Sequence, residues 1–109
     1  ISIGARRSSG TATSLRRVRK TVAPARSNDA NFFPGTPQKW GLSFLMNTAQ
    51  TPQGRSPGSL AWAGLANTYF WIDRTKRVCG VFASQLFPFC DDTALGLFGQ
   101  FETSVYQNV

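Results

Sequence analysis

Along residues 39–47, Trp40, Leu42, Phe44 and Met46 fall at every second position, with Gly41, Ser43 and Leu45 between them. That is the period of a strand with one packed face. Two more apolar runs follow, residues 59–63 and 68–72, joined through Gly64-Leu65-Ala66-Asn67. A polar turn, Asp73-Arg74-Thr75-Lys76-Arg77, leads into a fourth run at residues 78–87. Short strands joined to their neighbours by turns predict an antiparallel meander of about four strands. The period then changes. Pro88 ends the last strand, and Asp91 or Asp92 can cap a helix running to Gln107. Ala94, Leu97, Phe98, Phe101 and Val105 share one side of that helix and would cover the sheet. The expected fold class is α+β: an antiparallel sheet with a C-terminal helix packed on one face.

The rest of the chain carries no such period. Residues 1–27 are expected to form a disordered leader, and residues 28–109 the folded unit. Residues 28–35 and 51–58 are loops by composition, the first turning at Pro34-Gly35. Within the sheet, Trp40, Phe44, Trp62, Tyr69, Phe70, Trp71 and Phe82 place aromatics on both faces. One helix covers one face only, so the other would present an apolar patch to more protein or to a second copy of the chain.

Charge sharpens this division. The 109-residue sequence has 12 Lys and Arg against 5 Asp and Glu, a net charge of +7. Arg6, Arg7, Arg16, Arg17, Arg19, Lys20 and Arg26 all precede Ser27, and no acid does. Beyond it, Lys39, Arg55, Arg74, Lys76 and Arg77 balance Asp29, Asp73, Asp91, Asp92 and Glu102. Such an arm suits phosphate tracking, a transit-like segment, or a solvated leader with no partner. A nucleic-acid footprint needs basic residues on the folded face, and the neutral body argues against one. The chain has no run of about 18 apolar residues, so no membrane-spanning helix is expected. It starts at Ile1 rather than Met, as a cut or processed chain would.

Absences narrow the chemistry. The chain has no histidine, which removes Ser-His-Asp and Cys-His arrangements. No serine is followed three residues later by lysine; Ser14-Leu15-Arg16-Arg17 comes nearest, and an arginine stays protonated and cannot act as a base. No glycine-rich phosphate loop is present. Cys79 and Cys90 are separated by mostly extended chain, so free, largely buried thiols are expected, compatible with a reducing compartment such as the cytoplasm. Neither a metal site nor a cofactor is expected.

One stretch stands out. In Trp62-Ala63-Gly64-Leu65 a large indole is followed by two of the smallest side chains inside a strand pattern. A strand glycine marks a bulge beside a core tryptophan, or a place where something approaches the backbone closely. In the second case a main-chain N–H can stabilise the oxyanion of an acyl-transfer intermediate.

The region 27–106 resembles the C-terminal part of the β-lactamase-like serine hydrolases, near the class C β-lactamases and family VIII carboxylesterases. The residues that carry the resemblance begin with Lys39-Trp40-Gly41-Leu42-Ser43-Phe44 and Gly54-Arg55-Ser56-Pro57-Gly58-Ser59-Leu60-Ala61-Trp62-Ala63-Gly64-Leu65. They continue through Asn67-Thr68-Tyr69-Phe70-Trp71-Ile72-Asp73 and Gln85-Leu86-Phe87-Pro88-Phe89. The resemblance implies the C-terminal part of the β-lactamase/transpeptidase-like fold. It puts Trp62-Ala63-Gly64 in the place of the third family motif, Lys-Thr-Gly in the lactamases and Trp-x-Gly or His-x-Gly in the esterases. Trp62, Ala63 and Gly64 would then line the acyl-binding cleft, and the N–H of Leu65 would be one of two oxyanion donors. Tryptophan in place of lysine favours ester-like substrates over carboxylate-bearing ones. The Ser-x-x-Lys and Tyr-x-Asn motifs should precede this region and are missing; Tyr106-Gln107-Asn108 fits the second pattern only by coincidence. The implied parent would hydrolyse a small ester or amide through a serine acyl-enzyme, and this chain alone should be inactive. The alternatives are a non-catalytic product of a truncated gene and a small basic nucleic-acid-binding protein.

Overall fold

The computed structural model describes residues 2–7, 29–30, 32–33 and 36–109. Seven strands form one antiparallel sheet: β1 (Ser2–Arg7), β2 (Asp29–Ala30), β3 (Gln38–Trp40), β4 (Leu45–Asn47), β5 (Leu60–Gly64), β6 (Thr68–Asp73) and β7 (Val78–Ala83). Among the described residues one helix, α1 (Asp92–Gln107), follows them. The strand order β1-β7-β6-β5-β4-β3-β2 is a meander from β2 to β7, closed at its far edge by the chain's first strand. The class is α+β with a C-terminal helix, as the periodicity implies, but the sheet is larger than the four strands expected.

The differences have identifiable causes. Residues 39–47 do not make one strand. They fold back between β3 and β4, where the Gly41 N–H donates to the Phe44 carbonyl at 2.8 Å, and Trp40 faces Leu45 in register. The alternation continued through this turn and concealed it. β7 stops at Ala83 rather than at residue 87, because residues 84–88 are drawn off to the β5–β6 turn. Ser2–Arg7, part of the segment expected to be disordered, pairs along its whole length with β7, from Ser2↔Ala83 to Arg7↔Val78. A β-ladder is satisfied by main-chain groups, so polar and basic side chains do not prevent it. The remainder of the expected leader lies outside the described residues.

Strands β6 and β7 show the burial alternation of a sheet covered on one side. Tyr69, Trp71 and Asp73 on β6, and Val78, Gly80 and Phe82 on β7, are buried, while the residues between them are partly or fully exposed. Helix α1 lies on this face. Asp91 accepts a hydrogen bond from the Ala94 N–H at 3.0 Å as its N-cap, and Asp92 places negative charge in the first turn, where the helix dipole favours it. Ala94 and Phe98 are buried against Ala61, Tyr69, Trp71 and Phe82, with Phe101 and Val105 packed beside them. Leu97, expected on the same face, is exposed instead, while Glu102 is buried in line with Ala94 and Phe98. On the opposite face Met46 and Leu60 are buried with Phe44 and Ile72 around them, while Val81 faces solvent.

Trp71 is the centre of the packing. It is fully buried, with Phe101 and Phe98 at ring-centroid distances of 5.5 and 5.8 Å. Its indole lies directly over Gly80: a Cβ there would sit 2.0 Å from Trp71 Cη2. The glycine in β7 is therefore the socket for the tryptophan in β6, its register partner.

Three buried polar groups tie the loops to this core. Arg55 reaches Glu102 through two parallel bonds, Nε to Oε1 and Nη2 to Oε2, the latter at 2.9 Å. Its guanidinium also lies 5.6 Å from the Trp71 ring centroid. Asp73 accepts from the Ser56 N–H at 2.9 Å, and from the Tyr106 hydroxyl and the Thr75 and Lys76 N–H groups at 3.0 Å each. Trp71 Nε1 donates to the Tyr106 hydroxyl at 3.0 Å. Tyr106 is thus a structural residue linking helix, β6 and Asp73.

Candidate functional site

The expected site residues lie at the end of β5 and in the turn to β6. The ladder pairs Trp62 with Phe70, Ala63 with Tyr69 and Gly64 with Thr68, where it ends. Leu65, Ala66 and Asn67 form a three-residue connection whose last residue, Asn67, has φ 58°. This is the common hairpin geometry of a tight turn closed by a left-handed residue, a conformation asparagine tolerates well. Leu65 follows the last ladder pair and is 70% exposed.

Gly64 answers one question the sequence raised. A Cβ built on it would meet Thr68 Cβ at 3.5 Å and Thr68 O at 3.7 Å, ordinary contacts, and its φ is not in the left-handed region. Neither internal packing nor backbone conformation of the described residues requires glycine here. The contrast with Gly80 is direct, since there the chain's own indole fills the space.

Trp62 is half-buried, 4.5 Å from the Trp40 ring centroid and 5.2 Å from that of Phe32. Phe32 in turn stands 5.7 Å from Phe89. These rings make an aromatic wall at the sheet end that carries the turn. A cavity of about 330 Å³ lies elsewhere, between α1 and the β3–β5 side of the sheet, bordered by Leu45, Asn47, Ala61, Phe98 and Glu102. None of Trp62, Ala63, Gly64 and Leu65 borders it.

The residue that organises the turn escaped the sequence reading. Asn67 is fully buried. Its Nδ2 donates to the carbonyls of Leu86 and Pro88, both at 2.7 Å. Its Oδ1 accepts from the Tyr69 hydroxyl at 2.6 Å and the Asp91 N–H at 3.1 Å. Ser84 adds bonds from its hydroxyl to the carbonyls of Ala66 and Asn67, at 2.8 and 3.0 Å. Burial pushes the Tyr69 hydroxyl up to about 12, with Cys90 and Asp91 adding to the shift, so Tyr69 remains a neutral donor to Asn67. An asparagine before a strand signals a turn from sequence alone; its four partners come from elements 2 to 24 residues away.

Chemically, the described part of the chain offers a turn with an exposed leucine beside an aromatic wall. No group of three or more Cys, Asp and Glu fit to hold a metal ion occurs among the described residues. Cys79 and Cys90 are free and half-buried, rather than largely buried as expected.

No family model matches the chain, and no curated protein matches it. Solved structures do. The unliganded selenomethionyl form of simvastatin synthase (LovD) from Aspergillus terreus aligns with a TM-score of 0.64 and 25% identity. The alignment covers 67% of this chain and 19% of that one. The LovD9 and LovD6 mutants of the same enzyme align at 24% identity, with TM-scores of 0.64 and 0.63. These neighbours share a β-lactamase-like fold. The chain carries part of that fold. It spans about one fifth of the length of the solved structures it matches.

Proposed function

We propose that the chain is the C-terminal portion of a serine hydrolase of the β-lactamase-like group and that it supplies one oxyanion donor, the N–H of Leu65. In the parent protein a serine from another segment attacks the carbonyl of a small ester or amide. The oxyanion that forms is held by Leu65 N–H together with a second donor outside this chain; its collapse expels the alcohol or amine, which carries away the serine's proton, and water then releases the acyl group as the acid and restores the serine. Trp62, Ala63 and Gly64 border the acyl group on the strand side. The carrying observation is Gly64: a glycine that none of the described residues requires, next to an exposed leucine, leaves space for an external carbonyl to approach the main chain. The likeness to simvastatin synthase supports the same chemistry. With no histidine and no Ser-x-x-Lys in the sequence, the isolated chain has no activated nucleophile and should not turn over esters.

The test exchanges the matching fifth of simvastatin synthase for the corresponding part of this chain and follows p-nitrophenyl ester turnover. Leu65→Pro deletes the N–H at the first residue of the turn, a position where turns commonly accept proline. Loss of one oxyanion donor lowers kcat by about 10²–10³-fold, so Leu65→Pro should remove nearly all turnover while Leu65→Ala retains it. Equal activity of the two variants would refute the donor assignment. Ester hydrolysis by the isolated chain, abolished by changing one of its serines, would refute the wider reading.

A further inference from the structure

We propose that Asn67 is the positioning residue of this site: its side chain fixes the direction of the Leu65 N–H by clamping the β5–β6 turn to the segment that starts helix α1. The inference rests on the donor role proposed for Leu65 and adds the residue that sets its geometry.

A donor in a three-residue turn is mobile unless something outside the turn holds it. An oxyanion hole works only when its donors are aimed before the charge develops, within a few tenths of an ångström. Here the holding group is visible. Asn67 makes four side-chain hydrogen bonds, the full capacity of an amide. Two of them pull the segment before the helix, at Leu86 and Pro88, onto the turn. One takes the N–H of Asp91, the residue whose carboxylate caps α1. The fourth fixes it to Tyr69, stacked on Phe98 of the helix at 4.8 Å. The turn is therefore attached at once to β6, to residues 86–88 and to the helix N-terminus. Its main chain is also held independently, because the Leu86 N–H donates to the Ala66 carbonyl at 3.3 Å and Ser84 Oγ bonds Ala66 and Asn67.

Asn67 meets two requirements at one position. Its φ of 58° is needed to close the turn, and its amide pairs two part-buried carbonyls, the part-buried Asp91 N–H and the buried Tyr69 hydroxyl. Glycine meets the first only. Aspartate tolerates the same φ and retains both acceptor bonds, but cannot donate to Leu86 and Pro88.

The experiment uses the full chain, ¹⁵N-labelled, with Asn67→Gly and Asn67→Asp. Backbone order parameters are measured for Leu65 and Ala66, with the β6–β7 turn at residues 74–77 as internal reference. In the parent chain Leu65 should show the order of rigid backbone, about 0.85. In Asn67→Gly it should fall below about 0.6 while residues 74–77 stay unchanged, and Asn67→Asp should lie between. If Leu65 keeps its order in Asn67→Gly, or if residues 74–77 loosen to the same extent, the proposal is wrong. Should Asn67→Gly unfold the chain, Asn67→Asp and Ser84→Ala decide it: Leu65 order unaltered in Asn67→Asp, or lowered more by Ser84→Ala, refutes the clamp. No substrate enters this measurement, so its failure counts against Asn67 alone. Failure of Leu65→Pro to lower turnover counts against the donor role.

Discussion

Replacing Gly80 by alanine inserts one methyl group beneath Trp71, and the outcome can be worked from the structure. The new Cβ would lie 2.0, 2.2 and 2.7 Å from Trp71 Cη2, Cζ3 and Cζ2, where carbon atoms normally stand about 3.5–4.0 Å apart. The indole would have to withdraw by roughly 1.5 Å to restore that spacing. It has nowhere to go, being fully buried and packed by Phe98 and Phe101. Withdrawal also strains the bond from Nε1 to Tyr106 and, through it, the Tyr106 bond to Asp73. Overpacking of this kind costs about 1–3 kcal/mol, and a buried N–H left without its acceptor about 1–3 kcal/mol more. Against this, alanine is better than glycine in a strand by about 0.5–1 kcal/mol. The net loss should be about 1–5 kcal/mol from these terms, or a Tm roughly 4–40 °C lower at about 4–8 °C per kcal/mol. Urea unfolding followed by tryptophan fluorescence measures it, with Gly64→Ala as the matched control on β5. That control should fall within about 0.5 kcal/mol of the parent, as substitutions without a clash usually do. A Trp71→Leu background should remove most of the Gly80→Ala cost, because the two share one contact. If Gly80→Ala and Gly64→Ala melt alike, the socket account of Gly80 fails.

Glu102→Gln leaves the Arg55 guanidinium in a buried site without its counter-charge; a loss of about 3–5 kcal/mol is expected by denaturant unfolding, and one below 1 kcal/mol would show that the pair is solvated. Burial alone would raise the Asp73 carboxyl, but the N–H groups of Lys76 and Ser56 and the Tyr106 hydroxyl outweigh it and hold it below its usual range. Asp73 therefore stabilises the fold above its unfolded pKa of about 3.9, and that stability should drain away as pH falls through its lower folded value. Asp73→Asn should flatten this acid limb in a pH series of unfolding curves; an unchanged limb would assign it to other carboxylates. Both tyrosines are raised, Tyr69 to about 12 by burial and then by Cys90 and Asp91, and Tyr106 further, by burial and then by Asp73. Their neutral forms are favoured in the fold, so stability is retained below about pH 10 and declines above it. Absorbance of phenolate should show no free titration near pH 10, and a normal tyrosine curve there would contradict the buried network.

Much of the folded body was open to inference from order along the chain. Apolar alternation at residues 68–72, the polar turn at 73–77 and the Asp91 cap before a 3.6-residue period are local signals, and β6, the β6–β7 turn and α1 appear where those signals put them. Local signals cannot report the return of a chain on itself when the alternation runs on through the turn, which is why β3 and β4 read as one strand. They also say nothing about which distant partner completes a ladder, and so β1, rich in arginine, was invisible as a strand until β7 stood beside it. The same limit applies at the site. Trp62-Ala63-Gly64 drew attention through composition alone, since a large ring beside two minimal side chains is anomalous in any strand. The meaning of each glycine was decided by tertiary contact: Gly80 is occupied by Trp71, whereas nothing in the described chain fills the space at Gly64. From sequence, Asn67 reads only as part of the connection between two strands and Glu102 only as one of the acids that neutralise the body. Their roles depend on hydrogen bonds to residues 19 to 47 positions away, and only the folded backbone brings those donors and acceptors to 2.7–3.1 Å.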